Sequence, residues 1–456
     1  MRNSVVPVII ALALCLTGCD ERKGRLKLLM GDDSLKQFFT IDKNSVAMFA
    51  SQEDKNTGRV ECRIYKDEYD VFIRMFRVLD DREIQEAYRT KGDARFTRDF
   101  IASVMSKDDP SFMYDARSVK PLEGLRVAID PGHNAGSMEE AIREGKFMSL
   151  QSQDGRVIRF YEAALNLAMA KELREMLEND GATVMLTRER NRQVYPVPFD
   201  VWQRRDVRRA VEEKLNEGLV SEEKARLLLR GADERERYRF FNSEYEMPHR
   251  ARMINAFHPH ITVLAHFNAY DDNTGFRSKY LRIKNIAARA GSCDKRLKDI
   301  EEVIGSIPVV DRNFCCAYVP GCFLRGELDC IESRIEFLRL IISPDLENSA
   351  RYSKYVVDNF RSYLDLPPAR DSFPFSFHTG LCKAGVYARN FRMTRLVRGV
   401  LCLGEPVLQN NMEEALRLEE IAAGKVPARV RTAARAYYDA IREYVERHMA
   451  HLQMPL

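Results

Sequence analysis

The chain predicts an α/β fold: a mainly parallel twisted sheet with helices on both faces, two large insertions, and an N-terminal extension or small domain. Short apolar runs of the buried-strand type alternate with helical periodicity, the pattern of parallel strands joined by crossovers. Leu125–Ile129 is the first run, followed by a turn containing Pro131 and Gly132 and a helix expected from about Tyr161 to Asn179. Gly181 closes that helix as a left-handed residue beyond the C-cap does, and a second strand, Ala182–Leu186, follows at once. Ile261–Ala265 and Val400–Leu403 are further runs of the same kind.

Two segments interrupt the alternation. Within 195–249, Val207, Val211 and Leu215, and after Gly218 the block Ala225–Leu229, fit two helices joined by a turn, read as a solvated hairpin laced with i,i+4 pairs. The second interruption is 277–346. Upstream, residues 25–120 carry alternating runs at Val60, Cys62, Ile64 and at Val71, Ile73, Met75, and a helical stretch from Arg82 to Arg89. They offer no catalytic constellation. A core domain over 121–447 and a tail, 448–456, complete the division.

Composition narrows the class. The 456 residues carry 72 Lys+Arg against 68 Asp+Glu, net +4, with 45% apolar and 31% charged residues, which excludes disorder and a membrane-embedded chain. So even a balance leaves no basic footprint for phosphate backbones, and no nucleic-acid partner is expected.

The apolar run Val5–Leu16, preceded by Arg2, is too short for a span, which needs about 20 residues. It has the layout of a secretory leader. Leu16-Thr17-Gly18-Cys19 resembles the bacterial lipobox, which implies a signal peptide over 1–18, lipidation of Cys19, a tether over 19–24, and anchoring to a membrane of the cell envelope, facing the periplasm or exterior. Asp20 accompanies inner-membrane retention in enterobacterial lipoproteins, a rule that varies between lineages, so inner and outer membrane both stay open. Of ten cysteines, eight remain once Cys15 and Cys19 are set aside, and disulfides are permitted outside the cytoplasm. Cys315, Cys316, Cys322 and Cys330 lack the paired C-x2-C of a structural zinc site, leaving one or two disulfides or buried thiols.

Three polar residues directly follow expected strands: His133, His266 and Glu405. Ligands bind at the carboxyl ends of strands in open parallel sheets. Glu162 opens the helix after the first strand and can reach the same edge. Two imidazoles and a carboxylate converging there would make a His2Glu set, which holds catalytic zinc with a position left for water.

Val127-Ala-Ile-Asp-Pro-Gly-His133 resembles the opening motif of the zinc-dependent N-acetylmuramoyl-L-alanine amidases, which cut between glycan and stem peptide in peptidoglycan. Glu162 through Leu167 is similar to the family's E-x-x-x-N-L segment, Gly181 through Arg188 to its G-x-x-V-x-x-T-R strand, and His266-Phe-Asn268-Ala to its H-x-N-A motif. Val400–Glu405, with Asn411 and Glu414 downstream, resembles the strand bearing the catalytic Glu. The resemblance spans 125–188, 250–276 and 347–445. It implies one Zn2+ held by His133, Glu162 and His266, with Glu405 as general acid/base and Asn268 and Arg252 orienting or packing. Peptidoglycan is the implied partner; no activating protein is legible.

The sequence departs from the family in its longer loop over 137–160 and in Val407-Leu408 where the family has Gly-Phe. Some relatives are held inactive by an inserted segment, and 277–346 occupies a comparable place, where Glu327 could cap the open metal position; a structural role is the alternative. Two other functions stay open: a zinc peptidase cutting within the peptide, although H-E-x-x-H is missing, and a non-catalytic peptidoglycan-binding lipoprotein. No G-x-S-x-G elbow or G-x4-G-K-[ST] loop supports a serine hydrolase or a nucleotide site.

Overall fold

The computed structural model describes residues 22–108, 114, 117–231, 234–270, 282–284, 286–288, 292–305, 307–369, 379–380 and 385–449. The leader and Cys19 lie outside the described residues. Among those described, no helix is long and apolar enough to cross a membrane.

In the N-terminal region β1 (Phe39–Ile41), β2 (Ser45–Met48) and β3 (Cys62–Tyr65) form an antiparallel sheet. Cys62 and Ile64 are buried on one face, as their alternation requires. Val71, Ile73 and Met75 are not a strand: they lie in the helix Tyr69–Val78, whose buried residues Val71, Phe72, Met75 and Phe76 recur at the helical period. The stretch from Arg82 to Arg89 is helical, within Asp81–Lys91, and Asp80 and Glu83 form its capping box.

The main sheet begins with β4 (Arg126–Pro131), followed along the chain by a separate hairpin of β5 (Phe147–Gln151) and β6 (Val157–Tyr161). Its other strands are β7 (Thr183–Leu186), β8 (Ile261–Ala265), β9 (Cys316–Val319), β10 (Thr379–Gly380), β11 (Val386–Ala388) and β12 (Val400–Glu405), in the spatial order β10-β11-β9-β12-β8-β4-β7. β7, β4, β8 and β12 run parallel, whereas β9 pairs antiparallel with β12. The fold is thus α/β with a mostly parallel central sheet.

Successive residues along each strand serve opposite faces. Val127 and Ile129 enter the larger core and Ala128 the smaller one; Val263 and Leu264 divide the same way, as do Cys402 and Leu401. Leu165, Met169, Leu173 and Leu177 of the helix Glu162–Asn179 fill the larger core.

The first interruption is more than a solvated hairpin, and the second contributes to the sheet. The first contains helices Phe199–Arg205, Val207–Asn216, Glu222–Arg226 and Glu234–Phe241 around a core of its own, with Phe199, Trp202, Tyr238 and Phe241 buried. The second supplies β9 and the helix Ile331–Ile342, in which Ile335, Phe337, Leu338 and Ile341 are buried. Residues 316–342 are therefore part of the sheet and its packing, not a cover laid over it. Cys315, Cys316 and Cys322 are buried free thiols and Cys330 is half-buried and free.

Candidate active site

Register places the candidate residues together. Pro131 of β4 and Gly404 of β12 both pair with Ala265 of β8, so the parallel strands end level with one another. His133, His266 and Glu405 stand at that edge, and Glu162 joins them from the first turn of its helix.

The turn after β4 is braced by two buried arginines. Arg250 pairs with Asp130 at 2.6 Å, and Thr187 donates to the same carboxylate. Arg188 donates to the carbonyls of Pro131 (3.0 Å), Gly132 (3.1 Å) and Ala163 (2.8 Å). His133 takes a left-handed conformation, φ 61°, which costs a non-glycine residue strain. Gly132 is needed because a Cβ there would overlap the His266 ring.

The Glu162 carboxylate is the hub. Its Oε1 lies 3.3 Å from His133 Nε2 and 3.1 Å from His266 Nδ1, and accepts from the Phe267 N–H. Gln409 donates to Oε2 at 3.3 Å. On its far side, His133 Nδ1 meets Glu144 Oε1 at 2.9 Å, in the arrangement by which a carboxylate fixes the tautomer of a metal-binding imidazole.

Burial works against charge on His133, but Glu162 and Glu144 outweigh it and raise its pKa to about 8. Burial likewise opposes the Glu162 anion, yet His133 and Lys146 hold its pKa well below the usual value. Glu405 goes the other way: burial, then the Glu162 charge, push it up to about 8.

One ligating atom from each of His133, Glu162 and His266 lies within 4.8 Å of the others. His133 Nε2 is buried without a hydrogen-bond partner, as a nitrogen reserved for a metal would be. The set fits a metal ion, and its two nitrogens and one oxygen match catalytic zinc sites.

Of the other expected residues, Asn268 clamps the turn after β12: its N–H donates to Val407 O (3.2 Å), its carbonyl accepts from the Gln409 N–H (2.8 Å), and its side chain meets Cys316 Sγ at 3.6 Å. Arg252 is exposed, and the contact to β4 belongs to Arg250, two residues earlier and on the buried side of the helix Met247–Phe257. Glu327 is not among the ligating atoms either. Its carboxylate accepts from Leu324 N–H (2.8 Å) and Asn390 Nδ2 (2.7 Å), tying its own turn to the segment after β11. The sequence, in which Glu139, Glu140 and Glu144 compete with Glu162 as carboxylates near His133, does not reveal the orienting role of Glu144 or the parts played by Gln409, Arg188 and Arg250. Arg188 stood inside a motif and Glu144 within the loop beside His133, but nothing in the sequence told their contacts.

These features define an α/β protein with a candidate metal centre at the carboxyl edge of a mostly parallel sheet. Residues 127–442 match the N-acetylmuramoyl-L-alanine amidase family, and the chain belongs to that family as an enzyme of this class. No curated protein matches the sequence. Among solved structures it is similar to the amidase Ami1 from Mycobacterium smegmatis, with 13% identity, 71% of this chain and 98% of that chain covered, and a TM-score of 0.37. The CwlD amidase from Clostridioides difficile, solved in complex with the GerS lipoprotein, gives 14%, 71%, 98% and 0.33. AmiC2 of Nostoc punctiforme gives 13%, 71%, 98% and 0.33.

Proposed function

We propose that the chain hydrolyses the amide between N-acetylmuramoyl and L-alanine in peptidoglycan with a zinc ion held by His133, Glu162 and His266, and with Glu405 as general acid/base. The observation that carries this reading is the juxtaposition of that ligand set with the half-buried Glu405 carboxyl, whose Oε2 is buried without a hydrogen-bond partner and whose pKa is raised to about 8. Zinc in such a set supplies a Lewis acid for the lactyl carbonyl and lowers the pKa of water towards 7. Glu405 accepts the proton of the attacking water and returns it to the L-alanine nitrogen, which leaves as the amine when the C–N bond breaks. A carboxyl tuned near neutrality serves both transfers. Glu144 holds His133 with Nε2 on the side of Glu162, where it would be available to a metal, while Gln409 and Asn166, whose Nδ2 lies 3.5 Å from Oε1, orient Glu162.

The lipobox resemblance supports a lipid-anchored enzyme at the envelope, acting in wall remodelling, daughter-cell separation or recycling. Loss of incorporated fatty-acid label in Cys19→Ser would support the anchor, and undiminished labelling would exclude it. The activity is tested by incubating the purified chain, its metal content measured, with muramoyl-peptide. Release of a peptide with a free L-alanine amino terminus from protein holding one zinc per chain is the expected result. Cleavage within the peptide, or full activity without metal, contradicts the reading.

A further inference from the structure

A polar cavity adjoins the metal-ligand group but is not used by the chemistry described above. It has a volume of about 630 Å3 and runs from Asn134, next to His133, across Arg143 to Arg192, Tyr195 and Phe199 at the start of the first insertion. That size suits a peptide-sized ligand.

Its polar groups are unbalanced towards donors. Asn134 is 4% exposed; its Oδ1 accepts from the Tyr238 hydroxyl at 2.6 Å, while its Nδ2 has no partner. Arg143 pairs through Nη1 with Glu234 (3.0 Å) and Asp200 (3.5 Å), yet its buried Nε has none. Arg192, exposed at the rim, has no carboxylate partner among the described residues. The carboxylates are already engaged, since Glu140 accepts from the Gly136 N–H at 2.6 Å and Asp200 faces Arg143. Buried donors without acceptors are costly, and a ligand that brings only acceptors satisfies Asn134 Nδ2 and Arg143 Nε and pairs with the exposed charge of Arg192.

The same groups tell the two halves of the substrate apart. Sugars stack on open aromatic faces, but the Arg143 guanidinium lies 5.0 Å over the Phe199 ring and 5.3 Å over Tyr238. The stem peptide is the half that carries free carboxylates.

We propose that this cavity is the subsite for the peptide half of the substrate, and that Arg192, Asn134 Nδ2 and Arg143 Nε receive a stem-peptide carboxylate beyond the scissile bond. The inference rests on the amidase reading and names which half of the substrate lies on the side of the first insertion.

The test compares the parent with Arg192→Gln and Arg192→Lys in two measurements. One is cleavage of a muramoyl-peptide with free peptide carboxylates and of the same compound fully amidated. The other is calorimetric titration with the dipeptide L-Ala-D-Glu and its diamide. For the free acids, KM and Kd rise roughly tenfold in Arg192→Gln, the scale of a charge-assisted hydrogen bond, and Arg192→Lys recovers part of the loss. The amidated compounds show no such difference between parent and variants. Equal shifts on both forms, or none on either, overturn the proposal. A parent that binds the acidic dipeptide through Arg192 but cleaves neither compound removes the amidase reading and leaves the subsite standing. Cleavage of the free acid unaltered by Arg192→Gln removes the subsite alone.

Discussion

His133 shows how much of the site is settled by single side chains. Its left-handed backbone, the missing Cβ at Gly132 that lets the His266 ring approach, and the Glu144 carboxylate behind it together leave Nε2 one orientation, towards Glu162. Glu144→Ala is expected to weaken zinc binding by about 10- to 100-fold, read by competition with a chromophoric chelator, because the imidazole loses its orienting acceptor. Affinity equal to the parent would remove Glu144 from the site. Gly132→Ala is expected to displace His266 and lower zinc occupancy, measured by elemental analysis. The pH dependence follows from Glu405. Burial and the Glu162 charge raise its pKa to about 8, and a base must be deprotonated to accept a proton, so turnover rises as pH climbs through that pKa. A divalent cation held by His133, Glu162 and His266 would favour the anion and shift this acid limb to lower pH. A rate that falls with rising pH across that interval contradicts the role.

At the scale of elements, β4, β8 and β12 were legible because each is a short apolar run ending in a polar residue, and parallel register then brings those residues level. β9 was not. Cys316–Val319 lies in a cysteine-rich stretch bounded by Pro320 and Gly321, and its partners β11 and β12 are distant in sequence. The β5–β6 hairpin falls within the 137–160 loop expected from the sequence, although Asp154-Gly155 at its turn, with Gly155 at φ 84°, is a recognisable hairpin signal. The phase of the helix Met247–Phe257 decided between Arg250 and Arg252, and only packing against β4 fixes that phase. Removing residues 307–346 deletes β9 from between β11 and β12, so circular dichroism and gel filtration are expected to report an unfolded or aggregated chain rather than a faster enzyme. A soluble, hyperactive deletion would restore the occlusion idea. Arg250→Met strands the Asp130 charge in the interior; thermal unfolding is expected to show a loss of about 3–5 kcal/mol.

Across the whole molecule, the N-terminal region and the amidase core share one interior. Leu29, Met48 and Phe72 belong to the same buried cluster as Val127 and Val263, Phe39 stacks on Phe337 at 4.8 Å, and Gly31 N–H donates to Phe323 O at 2.7 Å. No local pattern in the sequence announces such long-range packing, and so residues 25–120 read as a separable extension. Truncation to residue 121 is expected to expose that face and yield a poorly soluble protein, and the full chain is expected to melt in one transition in calorimetry. The near-neutral charge also has a structural place, since the helices of the first insertion pair opposite charges along their surface, as in Arg209–Glu213 and Lys214–Glu217.

In the proposed mechanism, zinc binding and proton transfer reside in different residues of one strand-edge site. Glu405→Gln tests it, with zinc content and muramoyl-peptide cleavage measured on the same preparation. The expected result is one zinc per chain, as in the parent, with turnover reduced by about 10²- to 10⁴-fold. Parental turnover with zinc retained would contradict it.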